Sequence, residues 1–153
     1  MPLSWKHRDG EFEISTDPSR IDIPLVHRFL TASYWAKGIP EETVRRSIER
    51  SLCFGVYSGS RQVGFARVIT DYATFAYLAD VFVLEEFRGR GLAVWLMQCI
   101  MEHPQLQDLR RWSLVTRDAH GLYRKFGFRE LSAPERWMEL HKPEIYTSHE
   151  SNS

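Results

Sequence analysis

The run from Thr74 to Leu84 is apolar on both faces of a strand, and Asp80 is the one charged side chain inside it. A strand that is apolar on both sides belongs in the middle of a sheet, with a layer packed above and another below. It leads into Arg88-Gly-Arg-Gly91, after which an amphipathic stretch runs from Leu92 to Glu102 and stops at Pro104. A strand that breaks at two glycines and restarts as a helix builds an α/β unit. Glycines let the backbone turn tightly and bring several N–H groups to one point. The helix start adds partial positive charge, so the junction is either an anion cradle of a size suited to phosphate or pyrophosphate or a plain helix cap with surface arginines.

The flanking chain extends this unit in both directions. Phe12–Ser15 alternates as a short strand, and Ile21–Trp35 carries Leu25, Val26, Phe29, Leu30 and Ala32 at helical spacing. Pro40, Glu41 and Glu42 open a second helix that runs to about Arg50. Leu52–Ser58 and Gln62–Ile69 flank Gly59-Ser60, a hairpin signal. After the long helix, Trp112–Thr116 reads as a strand and Asp118–Lys125 as a short helix, with Asp118 as its cap and Gly127 as its stop. Phe128–Leu131 and Trp137–Leu140 read as closing strands. The order is β-α-α-β-β-β-α-β-α-β-β. It predicts a mixed sheet of six to seven strands flanked by about four helices, a single domain over residues 1–146 and a flexible tail over 147–153.

Charge narrows the function. Twenty Lys and Arg balance twenty Asp and Glu, which argues against a protein that grips nucleic acid by neutralising phosphates. Sixteen of the twenty cations are Arg, the better fork for phosphate and carboxylate, so their placement outweighs their sum. Cys53 and Cys99 sit in apolar surroundings and read as reduced core residues, neither a disulfide pair nor a zinc site. No stretch has the length of a membrane span and the N-terminus has no apolar leader core, so the expected setting is the cytoplasm. The cradle fits neither the P-loop pattern nor G-x-G-x-x-G.

Arg88-Gly89-Arg90-Gly91-Leu92-Ala93 resembles the R/Q-x-x-G-x-G/A signature of the GNAT superfamily of acetyl-CoA-dependent N-acetyltransferases. Downstream, Ala119-His-Gly-Leu-Tyr123-Arg-Lys-Phe-Gly127-Phe128 is similar to that family's A-x-x-L-Y-x-K-x-G-F segment. The resemblance covers Phe12 to Leu140. It implies a GNAT-like α/β fold whose central strands splay apart. The co-substrate is then acetyl-CoA, with no metal. Its pyrophosphate falls to Arg88, Gly89, Arg90, Gly91, Leu92 and Ala93, and its pantetheine to the backbone of Val81 and Val83. Thr116 stands where many members place an Asn that helps hold the coenzyme. The resemblance makes Tyr123 the acid for the departing thiolate, a fair role for a phenol of pKa near 10; from the residues alone it would be a core aromatic.

The implied reaction is direct attack of an amine on the thioester in a ternary complex, and the alternative is an acyl-CoA-binding or sensing domain without catalysis. The acceptor is a small-molecule or peptide amine, walled by Tyr34 and Trp35 between the first two helices. Asp80 has two readings: it binds or deprotonates the acceptor ammonium, or it is structural, paired with Arg67 or another arginine or hydrogen-bonded within its strand. His120, three residues before Tyr123, is a second candidate at the acceptor. Neither nucleic acid nor membrane is an expected partner, and a homodimer, common in that family, is left open.

Overall fold

The computed structural model describes residues 1–148. Strands β1 (Ser4–Lys6), β2 (Phe12–Ser15), β3 (Leu52–Ser58), β4 (Arg61–Thr70), β5 (Phe75–Val83) and β6 (Arg111–Leu114) form one open sheet in sequential order. Every pair is antiparallel except β5 with β6. A helical crossover returns the chain to the same end of the sheet and so makes that pair parallel. Helices α1 (Ile23–Thr31), α2 (Glu41–Glu49), α3 (Leu92–Glu102), α4 (His120–Arg124) and α5 (Ile145–Ser148) cover it.

Two apolar clusters lie on opposite faces. Phe54, Val56, Val63, Ala66, Val68, Ala76 and Leu78 pack against Leu92, Leu96, Met97, Cys99 and Ile100 of α3 and against Tyr123 of α4. Cys53, Phe65 and Phe82 pack against Val26 and Leu30 of α1 and Val44 and Ile48 of α2. The β5 run is therefore covered on both faces, as its composition requires. The buried Gln62 ties the α1 layer to the sheet: its Oε1 accepts from the Asp22 amide at 2.7 Å and its Nε2 donates to the Gly64 carbonyl at 3.0 Å. Asp22 in turn caps α1 through the Leu25 amide.

The sequence expectation is corrected at the C-terminal end. Phe128–Leu131 and Trp137–Leu140 form no strands; a 3-10 turn, Pro134–Arg136, lies between them. Met138 and Leu140 stand almost wholly in solvent, and Trp137 lies under the Arg111 guanidinium at 4.9 Å. The alternation at 137–140 has no buried face to turn toward, so it earns no place in the ladder. β1 is an element that the sequence reading missed. The tail expected from residue 147 begins inside α5, and its remainder lies outside the described residues. Among the described residues, no helix is long and apolar enough to cross a membrane.

Candidate active site

β5 is held on one side along its length but on the other only in part. Its pairing with β6 runs from Phe75↔Arg111 to Leu78↔Leu114 and then ends. Pairing with β4 continues to Gly64↔Val83. Between Ala79 and Val83 one edge of the strand therefore pairs with no neighbouring strand, which is the splay that the resemblance implied. The register against β4 slips there, so that Asp80 and Val81 together oppose Ala66. Asp80 takes φ 57, a left-handed conformation that Asp tolerates better than most residues.

The cradle stands past Val83. Gly89 and Gly91 have φ of 80 and 76, and a Cβ at either would meet nothing within 4 Å. The sign of φ, and not crowding, calls for glycine there, and the missing side chains leave the amides open to solvent. No protein group among the described residues accepts from the amides of residues 89 to 94. Donors in sequence at a helix start, with no Cβ between them and solvent, fit a pyrophosphate. The two flanking arginines are engaged elsewhere: Arg88 Nε donates to the Val83 carbonyl at 3.0 Å, and Arg90 pairs with Glu11 at 3.0 Å. Arg88 thus ties the loop back to the strand, and Arg90 is an exposed pair worth little in itself.

The other end of the bare edge meets the loop between α1 and α2. Ser33 pins this loop, its hydroxyl donating to the Leu30 carbonyl at 2.6 Å and accepting from the Ala36 amide at 3.1 Å. His27 Nε2 bonds the Ile39 carbonyl, which gives that histidine a packing role. Tyr34 and Trp35 project outward, about half exposed. Trp35 Nε1 donates to Asp80 Oδ1 at 2.9 Å, and Arg67 Nε donates to Asp80 Oδ2 at 2.8 Å. Both carboxylate oxygens are engaged, and the ion pair with Arg67 is the structural one of the two readings. A cavity of about 570 Å³ opens beside this loop, walled by Phe29, Tyr34, Trp35 and Leu84 and edged by Arg28 and Arg117.

Tyr123 is 8 % exposed on α4, edge-on to Phe128, and its hydroxyl has no hydrogen-bond partner among the described residues. Burial, with a smaller contribution from Tyr34, pushes its pKa up to about 12. Thr116 Oγ1 accepts from the Ala119 amide at 3.0 Å, so the turn into α4 is closed by Thr116 and not by Asp118, which is exposed beside Arg117. His120 is exposed at the first turn of α4 and does not line the cavity. Cys53 and Cys99 are buried and unpaired, with thiols pushed up to about 12 by burial, so neither is a ready nucleophile.

Sequence reasoning missed Arg28, Arg117 and Leu84. One signal was available: Leu25, Phe29 and Ala32 share helical spacing with Val26 and Leu30, yet only the latter two are fully buried. The first three continue one stripe into the cavity, and Arg28 lies on it.

The comparisons with known proteins agree with this geometry. Residues 49–130 match the acetyltransferase (GNAT) domain model. A protein of Gibberella zeae named as a candidate acetyltransferase is 32% identical over 145 residues, covering 81% of each chain. The crystal structure of a candidate GNAT-family acetyltransferase from Xanthomonas campestris pv. campestris is 55% identical, with a TM-score of 0.87 over 89% of this chain and 96% of that one. A candidate acetyltransferase of Clostridium acetobutylicum, solved with acetyl-CoA, shares the fold at 15% identity, with a TM-score of 0.60 over 92% of this chain and 96% of that one. This chain belongs to the GNAT family of acetyltransferases and is an acyltransferase enzyme.

Proposed function

We propose that this enzyme transfers an acetyl group from acetyl-CoA to a primary amine of a small molecule or peptide by direct attack in a ternary complex. The observation that carries the reading is the bare edge of β5 from Ala79 to Val83, which runs between the open amides of residues 89–94 and the Tyr34–Trp35 cavity. Acetyl-CoA supplies the activated acyl carbon as a thioester. The amides of Gly89 to Val94, with Arg88 and Arg90 close by, hold its pyrophosphate. The edge at Val81 and Val83, where Arg88 already takes the Val83 carbonyl, pairs with pantetheine through its remaining backbone groups and offers backbone donors where the carbonyl oxygen gains charge. Thr116 holds the turn into α4 and so keeps Tyr123 in place. Asp80, with both oxygens engaged, fixes the Trp35 indole in the acceptor wall.

The amine nitrogen forms the new C–N bond and releases a proton to solvent as the C–S bond breaks. Tyr123 attends the sulfur. A phenol near 12 is a weaker acid than a thiol near 8.5, so complete proton transfer to the sulfur runs uphill. Tyr123 therefore stabilises the departing thiolate by donating a hydrogen bond. No covalent acyl-enzyme is involved, since both thiols are buried and protonated. The two unpaired cysteines suit a reducing compartment, and the cytoplasm is our reading of where the enzyme works.

Thermal unfolding with acetyl-CoA, followed by thiol release over an amine panel, tests this. Ligand linkage raises the melting temperature, and release requires an amine. Tyr123→Phe lowers kcat about a hundredfold and leaves the KM for acetyl-CoA within about twofold. In the native enzyme the rate rises as the amine deprotonates and then levels off, with no alkaline fall by pH 10, because a phenol at about 12 is still protonated there. A melting curve unmoved by millimolar acetyl-CoA refutes the proposal. A large shift with no thiol release from any amine turns the reading to a sensing domain.

A further inference from the structure

We infer that the acceptor is an amine that also bears a carboxylate and an apolar body, with Arg28 and Arg117 holding the carboxylate. The inference rests on the transferase reading and names the substrate class of the same site.

The cavity is cationic at its rim and apolar in its wall. Arg28 comes from α1 and Arg117 from the chain just past β6, and both line it. Among the described residues, no acidic side chain does. Arg28 has no hydrogen bond or ion pair among the described residues. Other exposed arginines also lack a partner; what separates Arg28 is its place on a concave surface with a second guanidinium. Arg117 is held in position, its Cζ 3.8 Å from the Tyr34 ring centroid and its amide donating to the Tyr34 hydroxyl at 3.2 Å. Its ion-pair partner among the described residues is the adjoining Asp118 at 3.6 Å, and both of those side chains are about two-thirds exposed. Such a pair gives way readily to a better anion. Two guanidinium groups over an aromatic wall form a fork for a carboxylate.

The coenzyme does not account for these arginines: its third phosphate, on the ribose, lies beyond the pyrophosphate at the end away from the thioester. Its pyrophosphate is provided for by the open amides of residues 89–94, and none of Arg88, Gly89, Arg90 or Gly91 lines the cavity. Leu84 alone comes from the junction between β5 and α3. The anion read by Arg28 and Arg117 therefore belongs to the other substrate. The same charges favour the chemistry: positive groups beside an ammonium disfavour its charged form, and the nucleophile must be neutral. An acceptor with its own carboxylate enters this field, and a polycation is repelled by it. Phe29, Tyr34 and Trp35 take the apolar body; Phe29 stacks on the buried Phe82 at 3.9 Å.

Initial rates of thiol release decide the point with matched acceptors: L-phenylalanine, phenethylamine, an aminoalkyl phosphate and spermidine, each with native enzyme, Arg28→Gln and Arg117→Gln. The expected kcat/KM for phenylalanine exceeds that for phenethylamine at least about tenfold, and spermidine is the poorest of the four. Each substitution lowers the phenylalanine value about tenfold, through KM, and leaves phenethylamine within about twofold. The acetyl-CoA melting shift persists in both variants and shows that fold and donor site are intact. Equal rates for phenylalanine and phenethylamine overturn the inference while the transferase reading stands, and so does a raised KM for acetyl-CoA in either variant. Preference for the phosphate amine over phenylalanine overturns the carboxylate assignment. If acetyl-CoA binds but no amine is turned over, calorimetry of N-acetyl-phenylalanine with coenzyme A decides: binding that is lost in Arg28→Gln supports the inference, and absence of binding overturns it. No acetyl-CoA shift at all removes both readings.

Discussion

The two ends of the bare β5 edge meet ligands by different means. Past Val83 the groups are backbone amides, exposed because Gly89 and Gly91 hold positive φ with no side chain in the way. Around Asp80 the groups are side chains: Trp35 from the α1–α2 loop, Arg67 from β4, Arg28 from α1 and Arg117 from beyond β6. A backbone site is encoded in one short segment, whereas a side-chain site is assembled by the fold. The first kind is suited to a ligand group that never changes, and the second can be altered one residue at a time without disturbing it.

The largest effect separates the two ends. Gly91→Asp places a Cβ at φ 76, a strain of about 1–2 kcal/mol, and sets a carboxylate among amides that would hold an anion. Nothing lies within 4 Å of that Cβ, so the variant folds. Acetyl-CoA affinity falls at least about a hundredfold, and titrated thermal shifts measure it. Gly91→Ala carries at least as much backbone strain without the charge and loses less coenzyme affinity. If both variants keep the full shift, the donor end does not depend on this backbone, and the contrast between the ends fails.

That contrast also explains what could be read in advance. The cradle, the central strand before it and the helix after it were legible because each is written in contiguous residues: two glycines, an apolar run and an 11-residue helix, Leu92–Glu102. Tyr123 was legible only through its segment, and the lack of a hydrogen-bond partner for its hydroxyl among the described residues was not. Arg28 and Arg117 carry charge at exposed positions, a pattern that ordinary solvated surface shares, and only the fold sets them on one cavity. The reading failed outright at Trp137–Leu140, where alternation promised a strand but no sheet face waited for Met138 or Leu140. It erred at Asp118 because two residues near one helix start can cap it, and the chain path selects Thr116.

The next effect belongs to the acceptor end. Asp80→Ala removes the partner of a guanidinium that is 17% exposed, together with the acceptor for the Trp35 indole. It also places alanine at φ 57. The expected loss is about 2–3 kcal/mol, read by denaturant titration. Asp80→Asn keeps an oxygen for Trp35 and tolerates the left-handed backbone, so it costs less. In both variants the acceptor KM rises while the acetyl-CoA shift is retained. A variant that lost coenzyme affinity instead would mean that the bulge at Asp80 also shapes the donor end.

The smallest effect belongs to the turn into α4. Thr116 follows the exposed Val115, immediately precedes Arg117 of the cavity rim, and takes the Ala119 amide that leads into the helix of Tyr123. Thr116→Val keeps the shape and loses that acceptor, at a cost of about 1 kcal/mol. Thr116→Asn restores an oxygen and with it most of the stability. As a structural turn-closer, Thr116 leaves acetyl-CoA affinity within about twofold in either variant. As a coenzyme ligand it does the reverse: stability holds, affinity falls in Thr116→Val, and Asn recovers it. Measuring both quantities on the two proteins separates these outcomes, because closing the turn acts on unfolding and holding the coenzyme acts on binding.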